Sequence, residues 1–243
     1  MRLRDAGFKD GLMVLIAPAP GIAFTTGLAG DLSLSGGDPA GAEANRASVS
    51  DMLGIPREWA TVRQVHGRSV VCAGTPGLQV PEADAVVVRQ AGRPAAVLVA
   101  DCVPIALSGP GVAAAVHAGW RGLCAGVIEA AVAAAEPCRT SPGGLSAWIG
   151  PCIGPCCFEV GPEVPEQFAL THPDAPDCTV RAGEEKGKFD LRKAVAAVLE
   201  GSGVEVAGDL DPPCTCCDPR FFSHRRDGTP KRQALITWVE GAR

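Results

Sequence analysis

Three side chains that commonly bind metal ions each follow an apolar run in the sequence. Cys102 and His117 lie 15 residues apart (117 − 102 = 15), and His66 precedes both. Each stands within a few residues of glycine or proline, so we expect all three at strand ends that face loops. The runs before them are Thr61–Val65, Val97–Ala100 and Val112–Val116. Two imidazoles and one thiolate complete the ligand set of a zinc site with an open fourth position, and the same three residues are the predicted catalytic residues.

Two alternatives use some of these residues differently. Cys102 and His117 could form a nucleophilic pair in a thiol hydrolase or amidase without metal, with the imidazole as the general base. Asp101 would orient that pair poorly, because adjacent strand residues point to opposite faces. His66 would have no role in it, which favours the metal site. A zinc-binding protein without catalytic activity is the third hypothesis.

The elements that must position these residues are predicted from hydrophobic pattern and capping residues. Near-continuous apolar runs without alternation indicate strands that are covered on both faces. We also expect a hairpin around Gly67 and a helix from the Asp38-Pro39 cap to Leu53, ended by Gly54. Further helices are predicted over Leu123–Glu136, Glu163–Leu170 and Leu191–Glu200, and strands over Thr61–Val65, Val70–Cys72, Ala83–Val88, Ala95–Ala100, Val112–Val116, Leu145–Ile149 and Ala234–Val239.

This pattern predicts one α/β (α+β) domain over residues 1–243, with a mixed sheet flanked by helices. With 47% hydrophobic and 20% charged residues, the composition is that of a globular protein. The net charge of −5 argues against a nucleic-acid partner. No apolar window reaches the roughly 18 to 20 residues of a membrane span. The first ten residues meet charge and glycine too early for a secretory signal, so we expect a cytoplasmic protein with reduced thiols.

Three arginines are candidates for binding an anionic substrate. Arg121 follows Gly119-Trp120 at the start of a predicted helix, and Arg225 begins the pair Arg225-Arg226 in a polar loop. Arg46 lies on the first helix, where spacing alone also explains it as a surface partner of Glu43. Ordinary helix capping and a solvated turn are the alternatives for the other two. Two cysteine clusters, Cys152-x3-Cys156-Cys157 and Cys214-x-Cys216-Cys217, are interpreted as buried thiols near a site, not as a structural metal centre.

Six segments of the chain occur in an order that resembles a known family. They are Arg63-Gln-Val-His-Gly67, Ala83-Asp-Ala85, Ala100-Asp-Cys-Val-Pro-Ile105, Ala114-Ala-Val-His-Ala-Gly-Trp-Arg-Gly122, Ile149-Gly-Pro-Cys-Ile-Gly-Pro-Cys-Cys-Phe-Glu-Val-Gly161 and Phe221-Phe-Ser-His-Arg-Arg-Asp-Gly228. Between about Phe24 and Trp238 the chain resembles the laccase-domain purine nucleoside phosphorylase family, formerly described as multicopper polyphenol oxidoreductases or polyphenol oxidases. It departs from the family at Ser33, where Asn is common, and at His224, where Tyr is usual.

The resemblance implies a cytoplasmic zinc enzyme that acts on purine nucleosides. The family is described as cleaving adenosine, inosine, guanosine and 5′-methylthioadenosine with phosphate, and as deaminating adenosine. Its metal ligands correspond to His66, Cys102 and His117, the residues already selected. Its fold resembles that of toxin deamidases with a Cys–His pair, which keeps the thiol hydrolase as the alternative.

The histidine content of the chain argues against the copper chemistry in the family's older description. Four-copper oxidation needs many imidazoles, including His-x-His pairs, whereas this chain has four histidines and no such pair. We therefore expect zinc and disfavour copper.

Deamination also needs a carboxylate that moves protons. Asp84, Asp101 and Glu159 are the candidates, and the sequence does not choose among them.

Overall fold

Short strands and helices make up the fold of this chain. The computed structural model describes residues 8–9, 12–74, 80–136, 144–181, 185–208 and 211–241. The helices are α1 (Pro39–Leu53), α2 (Trp120–Ala125), α3 (Val127–Ala135), α4 (Glu163–Thr171), α5 (Leu191–Gly201) and α6 (His224–Asp227), with a 3-10 turn at Gly27–Ala29. The strands are β1 (Phe8–Lys9), β2 (Leu12–Met13), β3 (Leu15–Ala19), β4 (Ile22–Thr25), β5 (Val70–Cys72), β6 (Ala85–Val88), β7 (Ala95–Val99), β8 (Val103–Gly109), β9 (Val112–Ala118), β10 (Ser146–Ile149), β11 (Glu159–Val160), β12 (Thr179–Arg181), β13 (Gly187–Phe189), β14 (Glu205–Val206) and β15 (Gln233–Thr237).

Two sheets pack face to face at the centre of the fold. The larger has six strands in the order β14-β10-β8-β9-β6-β5, with parallel pairs at its two edges and antiparallel pairs between them. The smaller has four antiparallel strands in the order β3-β4-β15-β7. The predicted fold class, a single α/β domain with a mixed sheet, is confirmed. The extent of that domain over all of residues 1–243 stays a prediction.

Both faces of the six-stranded sheet are buried, which explains why its strands are apolar without alternation. In β6, Ala85 and Val87 face a core shared with α2, α3 and α5, while Val86 and Val88 face the four-stranded sheet. A third apolar cluster lies between the four-stranded sheet and α1, through Val49 and Ile236. The fold is therefore layered as helices, sheet, sheet and helix.

Two predicted helix starts are confirmed by their caps. The Asp38 carboxylate accepts a hydrogen bond from Gly41 N at 2.9 Å, and α1 ends at Gly54 in the left-handed conformation, φ 65°. The Asp190 carboxylate accepts from the backbone N–H groups of the first turn of α5. Within the described residues, no helix combines the length and apolar character that a membrane crossing requires.

Two predictions of local structure are wrong. Residues 61–65 do not form a strand, and no hairpin closes around Gly67, because β5 pairs in parallel with β6. The predicted helix over Leu123–Glu136 is two helices, since Gly126 adopts φ 88° and ends α2 before α3 begins. The high helix propensity of this segment does not keep the helix continuous through Gly126, because a residue in the left-handed conformation ends a right-handed helix.

Candidate metal centre

His66, Cys102 and His117 meet at one end of the interface between the two sheets. Their ligand atoms all lie within 4.8 Å of one another. The Cys102 sulfur is 3.8 Å from His66 Nε2, and the two imidazole rings are 4.8 Å apart at 79°. We call these three residues the histidine–cysteine group. It is graded in exposure, with His117 buried, Cys102 half-buried and His66 exposed, so it opens to solvent on one side.

The three residues come from different kinds of element. His117 is the next-to-last residue of β9, and Cys102 lies where the chain passes from β7 of the smaller sheet to β8 of the larger. His66 belongs to an irregular segment that Gln64 fastens to β7, because the Gln64 amide exchanges two hydrogen bonds of 2.7 and 2.8 Å with the Leu98 backbone. The Gln64 side chain thus makes the hydrogen bonds to β7 that the backbone of a paired strand would have made.

Asp84 holds both histidines in place. It is fully buried, and its carboxylate accepts a hydrogen bond of 2.8 Å from His117 Nδ1. The same carboxylate accepts from the backbone N–H groups of His66 at 3.0 Å and Gly67 at 2.7 Å. Because Nδ1–H of His117 donates to Asp84, Nε2 keeps the lone pair that a metal needs. Sequence reasoning included Asp84 as an acid–base candidate and missed this positioning role, although a carboxylate at the start of a buried strand was a signal for it.

Asp101 is held by residues from the C-terminal part of the chain. One carboxylate oxygen accepts from Thr215 Oγ1 and the other from Arg225 N, each at 2.6 Å. Asp101 has φ 90° and His66 has φ 59°, and these are the non-glycine residues with positive φ in the described part of the chain. Both strained residues belong to or adjoin the histidine–cysteine group, where surrounding bonds maintain them.

Gly119 allows the group to be this compact. A Cβ atom at this position would lie 2.9 Å from His66 Cδ2 and 3.1 Å from the Cys102 sulfur. Its φ of −76° suits any residue, so the requirement is for space and not for conformation. The glycine at the start of α2 therefore belongs to the site.

Charge pairing inside the group shifts two pKa values. Burial alone would raise the pKa of the Cys102 thiol, but the His117 charge and hydrogen bonds from His117 and His66 lower it to about 6. Burial alone would lower the pKa of His117, but the Cys102 thiolate and Asp84 raise it to about 9. Between these values the metal-free protein holds a thiolate beside an imidazolium, and the thiolate is ready to bind a metal.

The candidate substrate and acid–base residues lie in distinct surroundings. The exposed Arg121 guanidinium stacks on Trp120 at 4.4 Å. Arg225 Nη1 donates to Glu159 O at 2.9 Å, so this arginine and the half-buried Glu159 are neighbours. Arg46 is buried, its Nε donates to Leu32 O at 2.9 Å, and its guanidinium lies over Trp59. The structure thus connects Arg225 to Asp101 beside Cys102, whereas the contacts of Arg46 are with its own region of the fold.

The two cysteine clusters of the sequence come together in space. The sulfurs of Cys156, Cys157, Cys214 and Cys217 lie within 4.8 Å of one another. We call these residues the four-cysteine group. Cys156 and Cys217 are exposed, so the prediction of buried thiols is wrong for these two residues. The spacing Cys214-x2-Cys217 was the signal that could have identified it.

A family model and named relatives match the chain over most of its length. The model described as multi-copper polyphenol oxidoreductase laccase matches residues 28–240. A Streptomyces coelicolor protein named purine nucleoside phosphorylase is 38% identical over 210 residues, which are 84% of this chain and 85% of that protein. The purine nucleoside phosphorylase YfiH of Escherichia coli is 37% identical over 210 residues, 84% of this chain and 83% of that protein.

Solved structures share the fold. A Neisseria meningitidis protein of the family model DUF152 is 31% identical and aligns with a TM-score of 0.79 over 93% of this chain and 97% of that one. YlmD from Geobacillus stearothermophilus is 27% identical, with a TM-score of 0.82 over 97% of this chain and 100% of that one.

Proposed function

The chain belongs to the multi-copper polyphenol oxidoreductase laccase family, and from this premise we propose that it is a zinc-dependent purine nucleoside phosphorylase that also deaminates adenosine. The observation that carries the proposal is the convergence of His66, Cys102 and His117 in a chain whose relatives are named purine nucleoside phosphorylase. Adenosine, inosine, guanosine and 5′-methylthioadenosine are the proposed nucleosides, with phosphate as the second substrate. The proposed location is the cytoplasm, and the net charge of −5 supports a function without nucleic acid.

The donor atoms of the histidine–cysteine group suit zinc. Two imidazoles and a thiolate match the three-ligand sets of catalytic zinc sites, which leave one position for a substrate or water. The Asp84–His117 hydrogen bond supplies the outer partner that ligating histidines commonly have. Zinc, when bound, acts as a Lewis acid that polarises oxygen atoms and lowers the pKa of water. A laccase-type copper cluster would need many more imidazoles than the four in this chain.

The residues around this group account for the parts of phosphorolysis that the chain itself must supply. A phosphate oxygen forms a bond to ribose C1′, the C1′–N9 bond breaks, and the departing purine takes a proton. Arginine guanidinium groups bind phosphate through paired hydrogen bonds. We assign this role to Arg121 and Arg225, whose side chains are exposed. Arg46 stays a prediction of the sequence alone, because its described contacts are with Leu32 and Trp59.

Asp84 and Asp101 are assigned positioning roles. Proton transfer through either carboxylate would disrupt the bonds that orient His117 or that hold Arg225. Glu159 is the remaining acid–base candidate for deamination. Its carboxylate lies 3.8 Å from Lys186, and its backbone carbonyl accepts from Arg225.

Metal analysis and nucleoside assays on one set of variants test the proposal. Purified protein is incubated with adenosine, with and without phosphate, and adenine, inosine and ribose 1-phosphate are followed. We expect adenine release that depends on phosphate, inosine formation that does not, and loss of both with the zinc of this group in Cys102→Ala. Cys72→Ala is the matched control, since Cys72 is a half-buried cysteine outside both groups. Zinc-loaded protein that is inert on all four nucleosides would contradict the proposal and favour a non-catalytic zinc protein.

A metal-free thiol hydrolase is the second candidate, and the thiolate–imidazolium pair favours it. The lowered Cys102 pKa of about 6 and the raised His117 pKa of about 9 are those of an activated cysteine beside its base. The chelated protein separates the two candidates. Activity that survives complete zinc removal but is abolished in Cys102→Ala would assign the reaction to the thiol.

A further inference from the structure

A second group of metal-binding side chains lies outside the site assigned above. The four-cysteine group gathers the thiols of Cys156, Cys157, Cys214 and Cys217, all of them free cysteines. We propose that these four thiolates bind one zinc ion in a closed structural site that joins two turns of the chain. None of its four proposed ligands has a role in the proposed reaction.

The distances between the sulfurs suit one ion better than a disulfide. Cys157 and Cys217 sulfurs are 3.3 Å apart, and Cys156 and Cys217 sulfurs are 3.6 Å apart. Zinc–sulfur bonds of about 2.3 Å in a regular tetrahedron place the sulfurs about 3.8 Å apart. A disulfide would require about 2.05 Å. An iron–sulfur cluster places several irons between its ligands, whereas all four sulfurs here lie within 4.8 Å. Four thiolates around one centre are typical of a tetrahedral zinc site.

Backbone hydrogen bonds fix the two turns that carry the sulfurs. Cys157 N donates to Gly154 O at 3.0 Å, and Cys217 N donates to Cys214 O at 3.1 Å. A bridge between Cys152 and Cys214 aligns the turns in parallel, with Thr215 N donating to Cys152 O. Such a frame needs little rearrangement to bind an ion, which lowers the conformational cost of binding.

The surroundings favour ionised sulfur at Cys214 and place positive charge beside the two turns. Gly154 N donates to the Cys214 sulfur at 3.1 Å, and backbone N–H groups of this kind stabilise a thiolate. Lys188 Nζ donates to Cys156 O at 2.6 Å, Arg225 Nη1 to Cys157 O at 3.2 Å, and Arg226 Nη1 to Cys216 O at 3.3 Å. Four thiolates and one divalent ion carry two net negative charges, and these three cations border the carbonyls of the two turns. Outer hydrogen bonds and charges of this kind are the usual second layer of a metal site.

The position of Thr215 gives the second site a consequence for the first. Thr215 lies between the proposed ligands Cys214 and Cys217, and its hydroxyl donates to Asp101. Asp101 directly precedes Cys102. An ion that fixes the Cys214–Cys217 turn therefore also fixes the backbone that presents the Cys102 thiolate.

Metal stoichiometry separates the two sites. Protein purified with zinc is dialysed, and zinc per chain is measured by elemental analysis and native mass spectrometry. We expect about two ions in the parent protein and about one in Cys217→Ser. Cys216→Ser is the matched control, because Cys216 lies in the same turn outside the group, and it should keep both ions. Cys102→Ala should lose the other ion. If the histidine–cysteine group binds no zinc, Cys102→Ala changes nothing while Cys217→Ser still loses its ion, so the two proposals fail separately.

A measurement on the unaltered chain covers the case in which Cys217→Ser does not fold. Zinc-loaded and chelated protein are treated with iodoacetamide, and the modified cysteines are identified by peptide mass. Zinc should protect the four ligands at least about tenfold, because a bound thiolate is a poorer nucleophile than a free one. Equal modification with and without zinc, a mass two hydrogens lower from a Cys157–Cys217 disulfide, or retention of both ions by Cys217→Ser would overturn the proposal.

Discussion

The histidine–cysteine group and the four-cysteine group place similar donor atoms in opposite settings. The first combines three ligands from different elements at the end of two packed sheets and is open on one side. The second combines four ligands from two surface turns. An incomplete ligand set held by a rigid core is typical of a catalytic zinc site, and a complete set that joins loops is typical of a structural one. The number of ligands and the stiffness of their support therefore distinguish the two roles.

The kind of support also differs between the two groups. In the first, a buried carboxylate, Asp84, orients His117 and the His66 backbone. In the second, the frame consists of turn hydrogen bonds, and the charged partners reach backbone carbonyls and not the sulfurs. Removing an outer partner should therefore harm the first group more than the second.

Replacing Asp84 by asparagine is the strongest test of this difference. Asp84→Asn removes the charge that holds His117 and places an NH2 group where acceptors are needed, so we expect zinc affinity and activity to fall about 10- to 100-fold. Competition with a chromogenic chelator measures the affinity. Asp51→Asn, which removes an exposed carboxylate paired with Arg57, is the control and should change neither. An equal loss of affinity at the four-cysteine group would remove the proposed contrast.

The sequence predicted Cys102 and His117 as members of one group because each follows a long apolar run, whereas the strand predicted to carry His66 does not form. Strand ends are visible in a one-dimensional pattern, and Cys102 and His117 adjoin strands of one sheet. The role of Asp84 was hidden, because its partners at His66 and His117 are distant in sequence and a carboxylate is equally consistent with proton transfer. The covered faces of the six-stranded sheet were predictable for the same reason as the strands, because buried runs without alternation indicate a sheet covered on both faces. The pattern predicted helices as the cover and did not predict that a second sheet covers one face.

The four-cysteine group was missed because its ligands come from separate turns. An adjacent pair, Cys156-Cys157, joins a Cys214-x2-Cys217 pair that lies far along the chain, and the topology alone brings them together. The helix break at Gly126 was missed for a different reason. Helix propensity is added up over a stretch of residues, whereas a single residue in the left-handed region, here Gly126, decides where a helix ends.

The pH dependence of thiol reactivity gives a second contrast between the two groups. In metal-free protein the Cys102 pKa is about 6, whereas burial and neighbouring thiols raise the pKa of Cys157. At pH 7 we expect iodoacetamide to modify Cys102 about tenfold faster than Cys157, with the Cys102 rate falling below about pH 6. Peptide mapping after timed alkylation measures both rates. A Cys102 midpoint near that of an ordinary thiol would show that His117 is not charged beside it.

The same pair predicts how the stability of the metal-free protein depends on pH. The Cys102 pKa is depressed by folding, so its contribution is lost as the pH falls through about 6. The His117 pKa is raised by folding, so its contribution is lost as the pH rises through about 9. Between the ordinary pKa values of 6.5 for the imidazole and 9.0 for the thiol these two slopes oppose each other, so urea midpoints should change little there. In Cys102→Ala only the His117 slope is left, so the midpoints should fall as the pH rises through this window.

A methyl group at Gly119 tests the compactness of the first group alone. In Gly119→Ala the new Cβ would meet His66 Cδ2 at 2.9 Å and the Cys102 sulfur at 3.1 Å, so these ligands must shift by a few tenths of an ångström. We expect about a fivefold loss of activity, while the zinc ion of the four-cysteine group is retained. Gly201→Ala is the control, because its Cβ would meet no atom within 4 Å. Unchanged activity in Gly119→Ala would show that the ligands tolerate the displacement.

The Thr215 side chain joins the Cys214–Cys217 turn to Asp101. Replacing it therefore tests whether the two groups are coupled. Thr215→Val keeps the shape and removes the 2.6 Å hydrogen bond to the buried Asp101 carboxylate, which should cost about 1 to 2 kcal/mol in the free energy of unfolding. Because Asp101 precedes Cys102, we also expect about a threefold loss of activity with both zinc ions retained. Urea unfolding and initial rates measure these effects, with Thr61→Val as the control. Loss of stability without loss of activity would mean that the second group secures the fold and leaves the position of the Cys102 thiolate to Asp84, Gly119 and the sheets.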